Sequence, residues 1–340
     1  MTATITTDTA IRVQTDSIPA TDGYALAATI YQGTTGSRPA VAILNAAMGV
    51  RRERYEAFAR YLAGQGWIVV TYDYRGIGGS RHGSLPESGA RLQDWGAKDL
   101  SGVIEWIYQR WRPRRCVAIG HSIGGQILGL APNRDRLHAA LLIASQKGYT
   151  RYWDGIWKWI VRAFWHAVPL LVKWFGRLPM AVAGCEDLPP QVALDWQRWA
   201  LHPDFVDEQG QSLQASFARF TAPILSISFS DDPLYAPVRA VQALLRLYPN
   251  APSQHLYVDP RDEGVKQIGH SGFFDRGICP KLWETARHWL ETDRPDVDRQ
   301  PSSPRIPGRC GRPFTSIWST RTLHSARKRM RSFRAAASAS

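Results

Sequence analysis

The clearest candidate for chemistry in this sequence is a serine that lies between glycines. Ser122 is the centre of the pentapeptide GHSIG at 120–124, and apolar stretches lie on both sides of it, at 116–119 and 125–130. This order predicts a buried strand, an abrupt turn and a helix. Such a turn holds a serine in a strained conformation with its hydroxyl projecting from the edge of a sheet. Ser122 is therefore the predicted nucleophile.

A serine hydroxyl needs a general base to take its proton, and His270 is the histidine best placed for that role. Only His270 lies in a loop directly after the last predicted strand, so it can reach the sheet edge where Ser122 is expected. The others fall in predicted strands, in the last helix, in an inserted helical segment or in the C-terminal tail. The histidines that follow Ser122 are His138, His166, His202, His255, His270, His288 and His324.

The base in turn needs a carboxylate that fixes its tautomer and stabilises its cation, and two neighbouring residues are candidates. Asp231 and Asp232 are the only carboxylates immediately after the strong predicted strand at 223–229, and Pro233 and Pro237 stiffen the loop that carries them. We favour Asp232 and keep Asp231 as the alternative. The acid that is not used is expected to stabilise the turn.

Acyl transfer also requires backbone N–H groups that stabilise a developing oxyanion. The amide of Ile123, directly after the predicted nucleophile, is one expected donor. The second should come from the small-residue loop after the strand at 40–44. There we nominate Ala47, with Ala46 or Met48 as alternatives because the sequence leaves the register open.

Predicted strands and helices alternate along most of the chain, which indicates an α/β fold with a mostly parallel sheet and helices on both faces. The first two strands should form an antiparallel hairpin at one edge. Ligands bind at the carboxyl ends of strands in such sheets, and Ser122 lies at one of those ends. The predicted strands are 12–15, 23–31, 40–44, 67–72, 116–119, 139–144, 223–229 and 254–258, and the predicted helices are 51–63, 92–111, 125–130, 238–247 and 280–290.

Composition divides the chain into a core, an insertion and a tail. The alternation stops at 147–221, a segment with seven of the 14 Trp residues and apolar residues at helical spacing. We expect a helical cap of two to four helices there, inserted into a core made of 1–146 and 222–292. Most of these tryptophans should pack within the cap, and one or two should line a pocket. Residues 293–340 are rich in Pro, Arg, Ser and Gly, which predicts a disordered tail.

The basic excess of the protein is concentrated in that tail. The formal net charge of the chain is +13 at pH 7, and the segment 299–340 carries nine Arg, one Lys and no acidic residue. The remaining charge of about +3 gives no reason to expect nucleic-acid binding by the core. A basic amphipathic pattern at 323–334 would suit contact with an anionic membrane, but we favour a tail without this role.

The sequence indicates no cofactor and no metal site. The glycine-rich turn at 75–80 has Arg81 where a dinucleotide-binding loop needs its third glycine, and no His, Cys, Asp or Glu residues have metal-ligand spacing. The four cysteines are scattered and indicate neither a disulfide framework nor zinc. Since the sequence shows no secretory signal and no transmembrane segment, we expect a cytoplasmic protein.

Four stretches together resemble the α/β-hydrolase superfamily, and the resemblance covers about residues 11–290. They are GHSIGG around Ser122, DYRGIGGS at 73–80, SFSDDPLYAP at 228–237 and IGHSGFF at 268–274. The order of nucleophile, acid and base along the chain is also that of this superfamily. More narrowly, NAAMGV, YRGIGGS and GHSIGGQ resemble a bacterial group of serine hydrolases similar to serine aminopeptidases, with an esterase- and lipase-like character.

The resemblance implies an α/β-hydrolase fold in which Ser122 is the nucleophile, His270 the base and Asp232 or Asp231 the acid. It also maps the oxyanion donors to Ile123 and Ala47. The acid loop is one residue longer than is usual in the family, which keeps both aspartates open. A lipase-type His-Gly-Gly-Gly loop is missing, so lipase specificity does not follow.

These inferences predict a cofactor-independent serine hydrolase that acts on an ester or related acyl group of a small, apolar substrate. A peptidase, a thioesterase and an acyltransferase would employ the same residues, because a fold does not determine a substrate. The alternative outside enzymes is a non-catalytic binding or interaction protein with the same fold. Such proteins usually lack a member of the triad, and all three are present in this sequence.

Overall fold

A computed structural model of the chain describes residues 11–33, 39–181 and 184–292. The predicted tail, 293–340, and its predicted membrane-contacting pattern lie outside the described residues. Within the described ranges, no helix combines the length and the apolar character that crossing a lipid bilayer requires.

An eight-stranded sheet forms the centre of the described structure. Its strand order is β1-β2-β4-β3-β5-β6-β7-β8, in which β1, β2 and β4 pair antiparallel and all other neighbours pair parallel. This architecture confirms the predicted α/β-hydrolase fold. The strands are β1 (Arg12–Pro19), β2 (Ala25–Gln32), β3 (Ala40–Asn45), β4 (Trp67–Tyr72), β5 (Arg115–His121), β6 (Ala139–Ile143), β7 (Ile224–Phe229) and β8 (Ser253–Val258).

Helices cover both faces of the sheet, so every residue of β3, β4 and β7 is buried. This double cover explains the continuous apolar runs by which these strands were predicted. The α-helices are α1 (Glu56–Gly64), α2 (Leu92–Asp94), α3 (Ser101–Trp111), α4 (Ile123–Gln126), α5 (Gly155–Phe175), α6 (Pro190–Leu201), α7 (Gln214–Ala218), α8 (Val238–Leu245) and α9 (Pro280–Thr292).

Several predicted elements differ from the observed ones in detail, and two of the differences have a clear form. The predicted helix at 92–111 is continuous, but a π-helical segment, Trp95–Leu100, separates α2 from α3. Strand β1 extends to Pro19, four residues beyond the predicted end. Because β1 is an edge strand with mostly polar, exposed residues, the hydrophobic pattern does not mark its end; the antiparallel register with β2 does.

The helices α5, α6 and α7 lie between β6 and β7, in the segment predicted to form a cap. The rings of Trp165 on α5 and Trp196 on α6 meet edge to face at 4.6 Å, and Trp199 stacks on Phe205 at 4.4 Å. One aromatic pair thus joins α5 to α6, and a second joins α6 to the segment that follows it. The division into core and cap stays a prediction.

Helix α4 begins against the carboxyl end of β3, and Gly124 permits this close approach. A Cβ atom at Gly124 would lie 2.2 Å from the carbonyl oxygen of Asn45. We expect Gly124→Ala to lower the free energy of unfolding by about 1–3 kcal/mol because either the strand or the helix must move. Urea unfolding measures this loss.

The matched control is Gly64→Ala at the end of α1. The nearest atom to a Cβ there is Ile11 Cδ1 at 3.9 Å, an ordinary contact, so no loss of stability is expected. Equal unfolding free energies for the two variants would contradict the packing argument.

Candidate active site

Ser122 occupies the turn between β5 and α4. Its backbone has φ 53° and ψ −115°, a region that residues other than glycine rarely adopt. The turn is held by a hydrogen bond from the Ser122 N–H to the Ile143 carbonyl oxygen at 3.0 Å and by one from the Gly125 N–H to the Ser122 carbonyl oxygen at 3.2 Å. The residue is 9% exposed. This is the backbone geometry of a nucleophile elbow.

His270 and Asp232 form a hydrogen-bonded pair at the carboxyl edge of the sheet. The distance from His270 Nδ1 to Asp232 Oδ2 is 2.6 Å, and the Asp232 side chain is only 2% exposed. Its other oxygen, Oδ1, accepts the N–H of Tyr235 at 3.2 Å. A carboxylate only accepts, so Nδ1 of His270 carries the proton and Nε2 is free to act as a base.

The Asp231 side chain accepts hydrogen bonds from different groups than the Asp232 side chain does. Its Oδ2 accepts the backbone N–H groups of Ile268 and Gly269 at 2.9 and 3.0 Å. The two adjacent carboxylates therefore have separate contacts: Asp232 holds the imidazole of His270, and Asp231 holds the backbone of the loop that carries it. Of the two predicted candidates, Asp232 has the geometry of a triad acid.

A chain of buried hydrogen bonds joins this loop to the loop after β3 through His121 and Tyr55. His121 Nε2 lies 2.9 Å from the His270 carbonyl oxygen, and His121 Nδ1 lies 3.0 Å from Tyr55 Oη. Burial, followed by the charge of His270, holds the pKa of His121 well below its usual range, so the ring is neutral. The carbonyl can only accept. Nε2 of His121 therefore carries the proton, and Nδ1 accepts the Tyr55 hydroxyl proton.

The same chain of hydrogen bonds includes the N–H of Ala47, which was predicted as an oxyanion donor and stays a prediction. After giving its proton to His121, the buried Tyr55 hydroxyl accepts the Ala47 N–H at 2.7 Å. The Ala47 amide is thus engaged in the hydrogen-bond chain. Among the described residues, no hydrogen bond is donated by the N–H of Met48 or by that of Ala46, the two alternatives. Ile123 is the first residue of α4, where an amide has no intrahelical acceptor.

The structure shows no hydrogen bond between the Ser122 hydroxyl and the His270 ring, although both are described residues. Their proximity follows from His121, which precedes Ser122 in the chain and donates to the His270 carbonyl oxygen. The centroids of the His121 and His270 rings are 5.0 Å apart. Serine–histidine hydrogen bonds are often long in hydrolases without substrate.

The sequence did not single out Tyr55 or assign His121 to this chain of hydrogen bonds. Tyr55 falls on the apolar face of the predicted helix at 51–63, where an aromatic residue is expected to be core. The hydroxyl of Tyr55 was the one indication of its role, because a tyrosine at a fully buried position requires hydrogen-bond partners.

Comparison with known families agrees with this fold. A family model described as serine aminopeptidase, S33, matches residues 37–259, well over half of the chain. The chain belongs to this serine aminopeptidase S33 family. The match includes Ser122 and both candidate acids but ends before His270. No curated protein matches the chain.

Solved structures similar to this S33 family member share its fold at low sequence identity. DcsB in complex with its substrate analogue is 13% identical with a TM-score of 0.62, over 82% of this chain and 99% of that one. A soluble variant of monoglyceride lipase from Saccharomyces cerevisiae is 13% identical, TM-score 0.60, over 84% and 95%. A thermophilic esterase from Thermogutta terrifontis is 18% identical, TM-score 0.52, over 82% and 98%.

We expect Tyr55→Phe to lower the free energy of unfolding by about 1–3 kcal/mol. The change leaves both the Ala47 N–H and His121 Nδ1 buried without a partner. Chemical denaturation measures the loss. The control is Tyr61→Phe, which removes a partly exposed hydrogen bond to Glu284 at 3.1 Å and should cost less than about 1 kcal/mol. A Tyr55→Phe protein as stable as the wild type would refute the buried chain.

Proposed function

We propose that this member of the S33 family is a serine hydrolase with Ser122, His270 and Asp232 as its triad. The observation that carries the proposal is the 2.6 Å hydrogen bond between His270 Nδ1 and Asp232 Oδ2 at the sheet edge where Ser122 forms a strained turn. A buried carboxylate on Nδ1 leaves Nε2 of the imidazole as the proton acceptor that a serine nucleophile requires.

In the proposed reaction, Ser122 Oγ attacks the carbonyl carbon of the substrate while His270 Nε2 takes the hydroxyl proton. The tetrahedral intermediate then expels its alcohol or other leaving group, which receives that proton from His270. Water attacks the resulting acyl-enzyme with His270 again as base. The carboxylic acid leaves, and Ser122 regains its proton.

The oxyanion of each tetrahedral intermediate would be stabilised by the backbone N–H group of Ile123 and by that of Met48 or Ala46. This assignment replaces Ala47 because the Ala47 N–H is hydrogen-bonded to Tyr55. Two such donors are the usual complement of an oxyanion hole in this fold.

We propose an ester, or a related acyl compound with a small, apolar acyl group, as the substrate class. We propose that the segment at 147–221 forms a cap over the core of 1–146 and 222–292. This segment is rich in aromatic residues, which supports an apolar substrate. Apolar pockets bind acyl chains. The family description favours a second candidate, hydrolysis of an aminoacyl amide bond.

Labelling with a fluorophosphonate probe tests the nucleophile. We expect the wild-type chain to be labelled and Ser122→Ala not to be, because the probe reacts only with an activated serine. Ser271→Ala, next to the proposed base, is the matched control and should label normally. If the folded wild-type protein fails to react, the non-catalytic binding protein becomes the better interpretation.

The substrate class is tested by hydrolysis of p-nitrophenyl esters of increasing acyl length against aminoacyl p-nitroanilides. We expect the esters to be hydrolysed with higher kcat/KM and Ser122→Ala to abolish the difference. A higher kcat/KM on the anilides would favour the peptidase and contradict the ester proposal.

Two isosteric substitutions distinguish the acids. Asp232→Asn should lower kcat by about 10⁴-fold, because an amide reverses the tautomer of His270. Asp231→Asn should lower it less than about ten-fold, since the amide oxygen still accepts from the loop backbone. Initial rates on a p-nitrophenyl ester measure both. A larger loss for Asp231→Asn would reverse the assignment.

A further inference from the structure

The largest exposed apolar surface of the described structure lies on one helix. Eight of the ten large hydrophobic side chains that are exposed among the described residues belong to α5. Trp174 is 75% exposed, Ile156 68% and Trp159 63%. Contiguous apolar patches of this kind mark sites of interaction. The eight residues are Ile156, Trp157, Trp159, Ile160, Phe164, Leu170, Trp174 and Phe175.

The apolar surface of α5 faces away from the protein. Trp165, Val168 and Val172, at spacings of three and four residues, form the buried stripe of the helix, and this stripe packs toward α6. Successive helical residues are rotated by about 100°, which places Trp159 and Trp174 on the opposite side. Four of the seven tryptophans at 147–221 are buried or half-buried, and the three exposed ones, Trp157, Trp159 and Trp174, all belong to α5.

A basic flank runs beside this outward face. Lys158, Arg162 and Lys173 fall between the buried stripe and the apolar face, and none has an ion-pair partner among the described residues. The whole stretch from 155 to 181 contains no Asp or Glu. An apolar, Trp-rich face beside basic residues that have no ion-pair partner is the pattern of a helix that lies in a membrane interface.

We propose that α5 docks the protein onto the surface of an anionic phospholipid bilayer. Its tryptophans and isoleucines enter the boundary between headgroups and acyl chains, and its basic flank contacts lipid phosphates and carboxylates. The helix is about 30 Å long and stays attached to α6 along its buried stripe, so it lies parallel to the bilayer. This docking is independent of the proposed hydrolysis.

Charge favours a bilayer over a second copy of the chain as the occupant of this face. Two-fold pairing of identical surfaces would place basic flanks together without any carboxylate to offset them. Anionic lipids supply the negative charge that the patch lacks, at about 1 kcal/mol per basic residue near the surface.

The test is sedimentation of the full chain with phosphatidylcholine vesicles, with and without phosphatidylserine, at low and high ionic strength. We expect strong binding only with phosphatidylserine and at low ionic strength. Trp159→Ala/Trp174→Ala should weaken it at least about ten-fold, and Trp159→Phe/Trp174→Phe should retain most of it. Thermal melting should not change, because these side chains are exposed. Alanine variants that bind as tightly as the wild type would overturn the proposal.

A matched pair of triple variants tests the basic flank at equal net charge. Lys158→Gln/Arg162→Gln/Lys173→Gln should bind anionic vesicles about five-fold more weakly for each charge removed. The control removes three exposed arginines elsewhere, Arg12→Gln/Arg60→Gln/Arg110→Gln, and should bind almost normally. Equal losses in the two triple variants would overturn the proposal.

Self-association is measured on the same proteins without vesicles. Sedimentation velocity should show no oligomer that depends on Trp159 and Trp174. An oligomer that the alanine pair dissociates would assign the face to a second copy of the chain and overturn the membrane proposal.

Discussion

One chain of buried hydrogen bonds connects the loops that meet at the carboxyl edge of the sheet. It starts at the His270 carbonyl oxygen, passes through the neutral ring of His121 and the hydroxyl of Tyr55, and ends at the Ala47 N–H. Because the carbonyl can only accept, every proton in the chain has one possible position. In a region of low dielectric, an unpaired member would be costly, so the loops cannot shift independently.

Different neighbouring groups hold the backbone and the side chain of His270. The backbone of the loop with His270 is held by His121 and by Asp231, while the imidazole itself is held by Asp232. The turn at Ser122 is attached to the same network through the peptide bond between His121 and Ser122. Contacts of this kind fix groups before any substrate arrives, as the proposed catalysis would require.

Tryptophans of the inserted helices occupy two different environments, the buried contacts between elements and the exposed surface. Trp165 and Trp199 are buried and hold the helices to one another, whereas Trp159 and Trp174 are exposed on the far side of α5. The local sequence around these tryptophans does not indicate which of them are buried and which are exposed. Helix α5 is apolar around most of its circumference, so hydrophobic periodicity alone does not indicate which stripe faces α6.

By itself, the sequence determined the order of strands and helices along the chain and the α/β class. It also determined the tight turn at Ser122 and the position of His270 in a loop. These follow from local pattern: apolar runs, glycines at a turn and the ends of predicted strands. The sequence favoured Asp232 over Asp231, but only the tertiary structure shows that the two neighbouring side chains have different partners, the His270 ring for Asp232 and the loop backbone for Asp231. The tertiary structure also shows that the Ala47 N–H already has an acceptor, a tyrosine eight residues away whose hydroxyl is oriented by His121. Long-range hydrogen bonds of this kind exist only once the fold has brought their partners together.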